Sequence, residues 1–110
     1  MRQEDQELRE ALFELAQALK GGREQWMATL AEEALSGSQE QFEKFLVSNE
    51  LWGGSGSIAD QAGYGLDRTR RRGIEVLLIR LGRMQMEAGT VNVRTQMWVE
   101  VFEKWQGSGI

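Results

Sequence analysis

The stretch from Ser48 to Arg72, SNELWGGSGSIADQAGYGLDRTRRR, admits two architectures. Six of the thirteen glycines lie between Gly53 and Gly73. Gly54-Ser55-Gly56-Ser57-Ile58-Ala59 fits G-x-G-x-x-[GA], the string of a phosphate-cradling loop between a strand and a helix. That reading needs a strand before the loop and a βαβ unit around it. What precedes the loop is an amphipathic helix with Phe42, Phe45 and Leu46 on one stripe, and the Lys-[Ser/Thr] of a P-loop is missing. The string therefore reads as a sharp turn between helices, docked through its flanking residues Trp52 and Ile58. The competing reading is a flexible Gly-Ser linker.

Upstream, Leu8, Ala11, Leu12, Leu15, Ala16 and Leu19 mark one face of a helix over 4–20, closed by Gly21-Gly22. A second helix is expected over about 23–35, with Trp26, Met27, Leu30, Ala31 and Leu35 inward and Gly37 at its end. Ser38 and Gln41 form a capping box for a third, running to Leu51 or Trp52. Downstream, Ser57-x-x-Asp60 opens a short helix. Asp67 caps the longest one, over about 68–88, which has Ile74, Leu77, Leu78, Leu81, Met84 and Ala88 on one face. Val76, Ile79 and Met86 make it apolar on the other side too, so it is expected at the centre. Gly89 is its C′ residue. Thr90 or Asn92 caps a last helix with Met97, Trp98, Val101, Phe102 and Trp105 on one side, before a frayed Gly107-Ser108-Gly109. Val91-Asn92-Val93 alternates like a short strand but has no partner segment. The fold class is all-α: a compact bundle of about five helices plus one short helix, with a central Gly-rich loop, in one domain spanning 1–110.

Composition narrows the chemistry. The chain is 41% hydrophobic and 27% charged, and no apolar run is long enough to span a membrane. The N-terminus has no apolar signal-peptide core, which points to the cytoplasm. Cys, His and Pro are absent, which removes thiolate nucleophiles, Zn–Cys sites, His-based triads and HExxH sites. No cofactor motif stands out. The net charge of −4 argues against general nucleic-acid binding. Acidic residues concentrate in 1–51 and basic ones in 52–110, so the two halves should face each other.

Three groups carry candidate chemistry. The glycine loop supplies Trp52, Gly54, Ser55, Gly56 and Ser57, with Tyr64 beyond it. Arg68, Arg70, Arg71 and Arg72 crowd the first turn of the long helix, where positive charge opposes the dipole, so something anionic should compensate. Helical geometry turns Arg70 and Arg71 inward, and a pairing of one of them with Asp60 or Glu50 is expected to hold the loop closed. Asn49, Glu50, Asp60, Gln61 and Asp67 form an acid/amide set with no metal-ligand spacing. The four tryptophans exceed what so small a core needs, and Trp105 is the one expected at an interface. The leading expectation is a non-enzymatic protein acting through protein–protein contacts, self-associating or partner-binding through Trp98 and Trp105 or the loop, while Val76, Ile79 and Met86 are covered either by other helices or by a second copy in a homodimer. The alternative is a binder of a small anionic or phosphate-bearing ligand at the 49–72 loop, favoured if Trp52, Asp60, Tyr64 and Arg71 line one pocket. A carboxylate-dependent enzyme comes third.

Overall fold

A computed structural model describes residues 3–21 and 25–109. Among these are seven helical segments, α1 (Gln3–Lys20), α2 (Gln25–Ser36), α3 (Gln39–Leu46), α4 (Asn49–Trp52), α5 (Ile58–Gln61), α6 (Arg68–Ala88) and α7 (Thr95–Ser108). The fold is an all-α bundle, with five longer helices and two of four residues each. Val91–Val93 is not a strand. The expected stop at Gly22 and start at Arg23 lie outside the described residues.

The inward stripe of α1 is buried throughout, from Leu8 to Leu19. α2 runs antiparallel to it. Arg9 near the start of α1 donates to the Leu35 carbonyl at the end of α2 (3.2 Å) and to Gln39 Oε1 (2.8 Å), and stacks over Phe42 at 4.3 Å. At the other end, Gln25 Nε2 donates to the Lys20 carbonyl. Met27 and Ala31 are buried as expected, and Leu30 and Leu35 half-buried. Trp26 is instead 39% exposed.

The local caps behave as their chemistry requires. Ser38 and Gln41 make both halves of the capping box, Ser57 accepts from Asp60 N, and Asp67 accepts from Arg70 N. Gly89 closes α6 at φ 75°. Helix 3 does not run through to Trp52. Ser48 breaks it, donating its hydroxyl to the Phe45 carbonyl (2.7 Å) while accepting from Leu51 N to start α4. α7 starts later than expected because Asn92 forms a turn of its own, accepting from Arg94 N (2.9 Å) while its amide N–H donates to Thr95 Oγ1. It also continues through Gly107 and Ser108, with Gly109 as its left-handed cap.

α6 packs between α1 and α7 and runs antiparallel to both. Arg80 pairs with Glu14 on one side and so joins the acidic and basic halves. Arg83 pairs with Glu103 on the other at 2.5 and 3.0 Å. The Glu103 hydrogen bond, reinforced by its charge, raises the Arg83 pKa above the ordinary value. Two different faces of α6 are covered. Ile74, Leu78 and Leu81 are buried, with Leu77 and Met84 packed beside them. The seam towards α7 is Glu75, Leu78, Gly82 and Gln85, spaced three and four apart, and all four are buried.

Gly82 brings the helices together. A Cβ there would lie 2.3 Å from Val99 Cγ2 and 3.2 Å from Trp52 Cη2. Trp52 is fully buried, and its indole N–H donates to Gln85 Oε1 at 2.9 Å. Gln85 in turn donates to the Leu46 carbonyl (2.8 Å) and the Thr90 carbonyl (2.9 Å).

Two outcomes follow from this seam. Gly82→Ala gains about 1 kcal/mol of helix propensity but meets the buried side chains of Val99 and Trp52, neither of them a flexible chain end, so overpacking of about 1–3 kcal/mol should win. Chemical denaturation should give a net loss of stability, and a gain would show that α6 and α7 stand further apart. Gln85→Leu leaves the Trp52 N–H and two carbonyls without partners, at about 1–3 kcal/mol for each group that stays dry. A loss on the order of 3–5 kcal/mol is expected, and a melting temperature within a few degrees of wild type would contradict it.

Candidate functional site

The glycine loop is tied down by its own polar atoms. The Gly53 carbonyl accepts from both Ser57 Oγ (2.8 Å) and Trp98 Nε1 (3.0 Å). Gly56 adopts φ 89°, and its N–H donates to Asp60 Oδ2 at 2.9 Å. Gln61 Nε2 reaches the same oxygen at 2.7 Å. Asp60 N is held by Ser57. The loop amides at Gly56 and Asp60, which a phosphate would need, are thus occupied by side chains of the loop itself.

The remaining loop candidates are spread out. Asn49 accepts from Asn92 Nδ2, which also bonds the Val47 carbonyl, so it ties the α3–α4 corner to the segment before α7. Glu50 and Ser55 are exposed. Gly54 lies beside the Arg94 guanidinium. Trp52 belongs to the core.

The arginines do not make the expected ion pair. Arg70 is exposed and donates to the Gly21 carbonyl at the end of α1. Arg68 donates to the Gly109 carbonyl, and Arg72 to that of Gln106 (3.0 Å), both at the end of α7. Helix C-termini carry the negative end of the dipole and unpaired carbonyls, so they supply the compensation that carboxylates were expected to give. Neither Asp60 nor Glu50 is a hydrogen-bond or ion-pair partner of Arg70 or Arg71.

Arg71 differs from its neighbours. Its stem lies on Gly63, where an added Cβ would sit 2.5 Å from Arg71 Cγ. Arg71 lines a cleft of about 330 Å³ between the 59–66 segment, α6 and α7. Asp60 and Tyr64 also line this cleft, so three of the four residues proposed for one pocket come together there without Trp52. The far wall is aromatic. Trp98 stacks on Phe102 with centroids 5.5 Å apart, and Trp105 meets Phe102 edge-on at 5.8 Å. Phe102 is buried, while Trp98 and Trp105 are half-buried and Tyr64 stands at the rim.

Glu75 forms the floor, with a side chain 5% exposed. Its Oε1 accepts from Gln106 Nε2 at 2.9 Å, and its Oε2 lies 3.7 Å from Arg71 Nε. That distance is too long for a hydrogen bond. The Arg71 Nε is buried and has no hydrogen-bond acceptor. Sequence reading missed Glu75, and it assigned Trp98 and Trp105 to a protein contact rather than to a cleft with Arg71. The available signal was a carboxylate within the apolar stripe of α6, between Ile74 and Leu78.

Among the described residues no cluster of three or more acidic side chains could hold a metal ion. No helix among them is long and apolar enough to cross a membrane. The chain matches no protein-family model, no curated protein and no solved structure.

Asp60→Ala removes two exposed hydrogen bonds and no buried ion pair. The loss should be about 1 kcal/mol, measured by urea denaturation. A loss of about 3 kcal/mol or more would restore an ionic clasp on the loop.

Proposed function

We propose that this is a non-enzymatic binding protein, and that its site is the aromatic cleft between the 59–66 segment, α6 and α7. It takes a small ligand with an anionic or other acceptor group. The observation that carries this reading is the buried Arg71 Nε, which lacks an acceptor in a cleft walled by Trp98, Phe102 and Trp105. Ligand pockets combine apolar walls with a few placed polar groups in this way. The two carboxylates of the cleft are hydrogen-bonded within the protein, Asp60 by Gly56 and Gln61, Glu75 by Gln106. Neither is poised as a free acid or base, which disfavours the enzyme reading.

A second reading, contact with another protein or a second copy, draws on Phe13. It is 54% exposed in an open groove with Leu35, Arg9 and Arg80. The face first suggested for a homodimer is weaker, because Ile79 and Met86 pack against the core and only Val76 of that set stays exposed.

Indole N–H resonances of the four tryptophans report on both readings. In a fragment screen, binders should move the Trp98 and Trp105 signals and leave that of Trp26 in place. A screen without binders, or with binders that move only Trp26, would overturn the cleft as the site. Light scattering over a range of concentrations should give a constant monomer mass. A mass that rises towards twice the monomer would favour self-association.

A further inference from the structure

Resting on the cleft as the binding site, the geometry points to a ligand class: a planar aromatic ring carrying a single carboxylate. The carboxylate sits on Arg71 and the ring against Trp98 and Trp105. Three observations select this chemistry.

The first is the balance of donors and acceptors. Two of the acceptors are already engaged, because Glu75 Oε1 holds Gln106 and Asp60 Oδ2 takes two donors, while Glu75 Oε2 lies 3.7 Å from Arg71 Nε. Gln106 is fixed in turn, since its side chain also bonds the Arg72 carbonyl and its own carbonyl takes the Arg72 guanidinium. The donors of Arg71 are less engaged: Nε approaches Glu75 at 3.7 Å without a hydrogen bond, and among the described residues the terminal nitrogens have no hydrogen-bond acceptor. A guanidinium fork of this kind matches a carboxylate with two parallel hydrogen bonds. A cationic ligand would find aromatic faces but would compete with Arg71 itself.

The second is charge. Arg71 is the one cation lining the cleft, and Asp60 and Glu75 line it too. A phosphate dianion would face both carboxylates with a single positive partner. A monoanion meets half that repulsion and can be matched by the single guanidinium.

The third is shape. The wall is a run of three rings in contact, two of them half-exposed towards the cleft. Such a surface favours offset or edge-on packing by another flat ring. A volume of about 330 Å³ is near the lower end for ligand sites, the range of one or two fused rings.

Four probes test this: 2-naphthoate, 2-naphthalenemethanol, 2-naphthylmethylammonium and inorganic phosphate, each titrated at constant ionic strength while the indole N–H signals are followed. 2-Naphthoate should shift the Trp98 and Trp105 signals saturably, with at least tenfold higher affinity than the other three. Arg71→Met keeps the stem on Gly63 and removes the fork. It should weaken 2-naphthoate at least tenfold and leave 2-naphthalenemethanol unchanged, a comparison that also shows the variant is folded. Equal or tighter binding of the alcohol or the ammonium ion would overturn the carboxylate and leave the cleft standing as a site. Phosphate binding as tightly as 2-naphthoate would overturn the ring. If none of the four binds while screened fragments do, the ligand class is wrong. If neither the probes nor the fragments bind, the cleft reading fails with it.

Discussion

One buried amide holds the ends of three helices in register. Gln85 is fully buried and uses both ends of its side chain. It accepts from Trp52 at the end of α4, and donates to Leu46 at the end of α3 and to Thr90 after α6. A dry amide without partners costs several kcal/mol, so the three contacts stand or fall together. They fix where α3 stops, where the Trp52 ring lies and how the chain leaves α6. Trp52 against Gly82 then sets how near α7 comes, and Trp98 on α7 reaches the Gly53 carbonyl. The cleft is bounded by elements that this chain of contacts positions.

The arginine cluster does a related job at the opposite end of α6. Positive charge in a first turn is unfavourable by a few tenths of a kcal/mol per residue for an isolated helix. α6 is not isolated. Its antiparallel neighbours end beside it, so Arg68, Arg70 and Arg72 meet the carbonyls at the ends of α7 and α1. Arg9 does the same for α2 through the Leu35 carbonyl. A guanidinium has several donors and a long reach, which suits it to unsatisfied helix ends better than to a distant loop carboxylate. Three arginines of the cluster are used this way. Arg71, one residue from each of two stapling arginines, lines the cleft instead.

The sequence made the fold legible where the governing physics is local. The caps at Ser38, Ser57, Asp67 and Gly89 each depend on residues within four positions, and the leucine stripe of α1 needs only helical period. The seam of α6 towards α7 was not legible, because Glu75, Gly82 and Gln85 carry no apolar signal. They are buried because distant groups, Gln106, Val99 and Trp52, meet them there. Ser48 was overlooked for the opposite reason. A break with a new cap four residues before Trp52 resembles continuous helix when only the stripe of Phe42, Phe45, Leu46 and Leu51 is followed. Within the candidate site, Asp60, Tyr64 and Arg71 were legible as chemistry-bearing residues near the glycines. Their aromatic wall lies about thirty residues away along the chain and is brought in by the packing of α7.

The contrast between the glycine loop and the cleft comes down to valence. At Gly53–Gln61 nearly every polar group that could attract a ligand is used internally: the Gly53 carbonyl twice, the Ser57 hydroxyl as donor and acceptor, the Asp60 carboxylate twice. Such a loop is stable without a ligand, and an anion would have to displace Asp60 to enter. Across α5 the accounting reverses. Arg71 carries only donors, its Nε is shielded from water, and its nearest carboxylate stands too far away to accept. Burying a donor without an acceptor is destabilising, and this chain does so beside an open aromatic wall when neighbouring arginines find carbonyls. The glycines therefore act at a distance from the chemistry. They turn the chain tightly enough to seat α5, and Gly63 leaves the space in which Arg71 lies along the cleft wall.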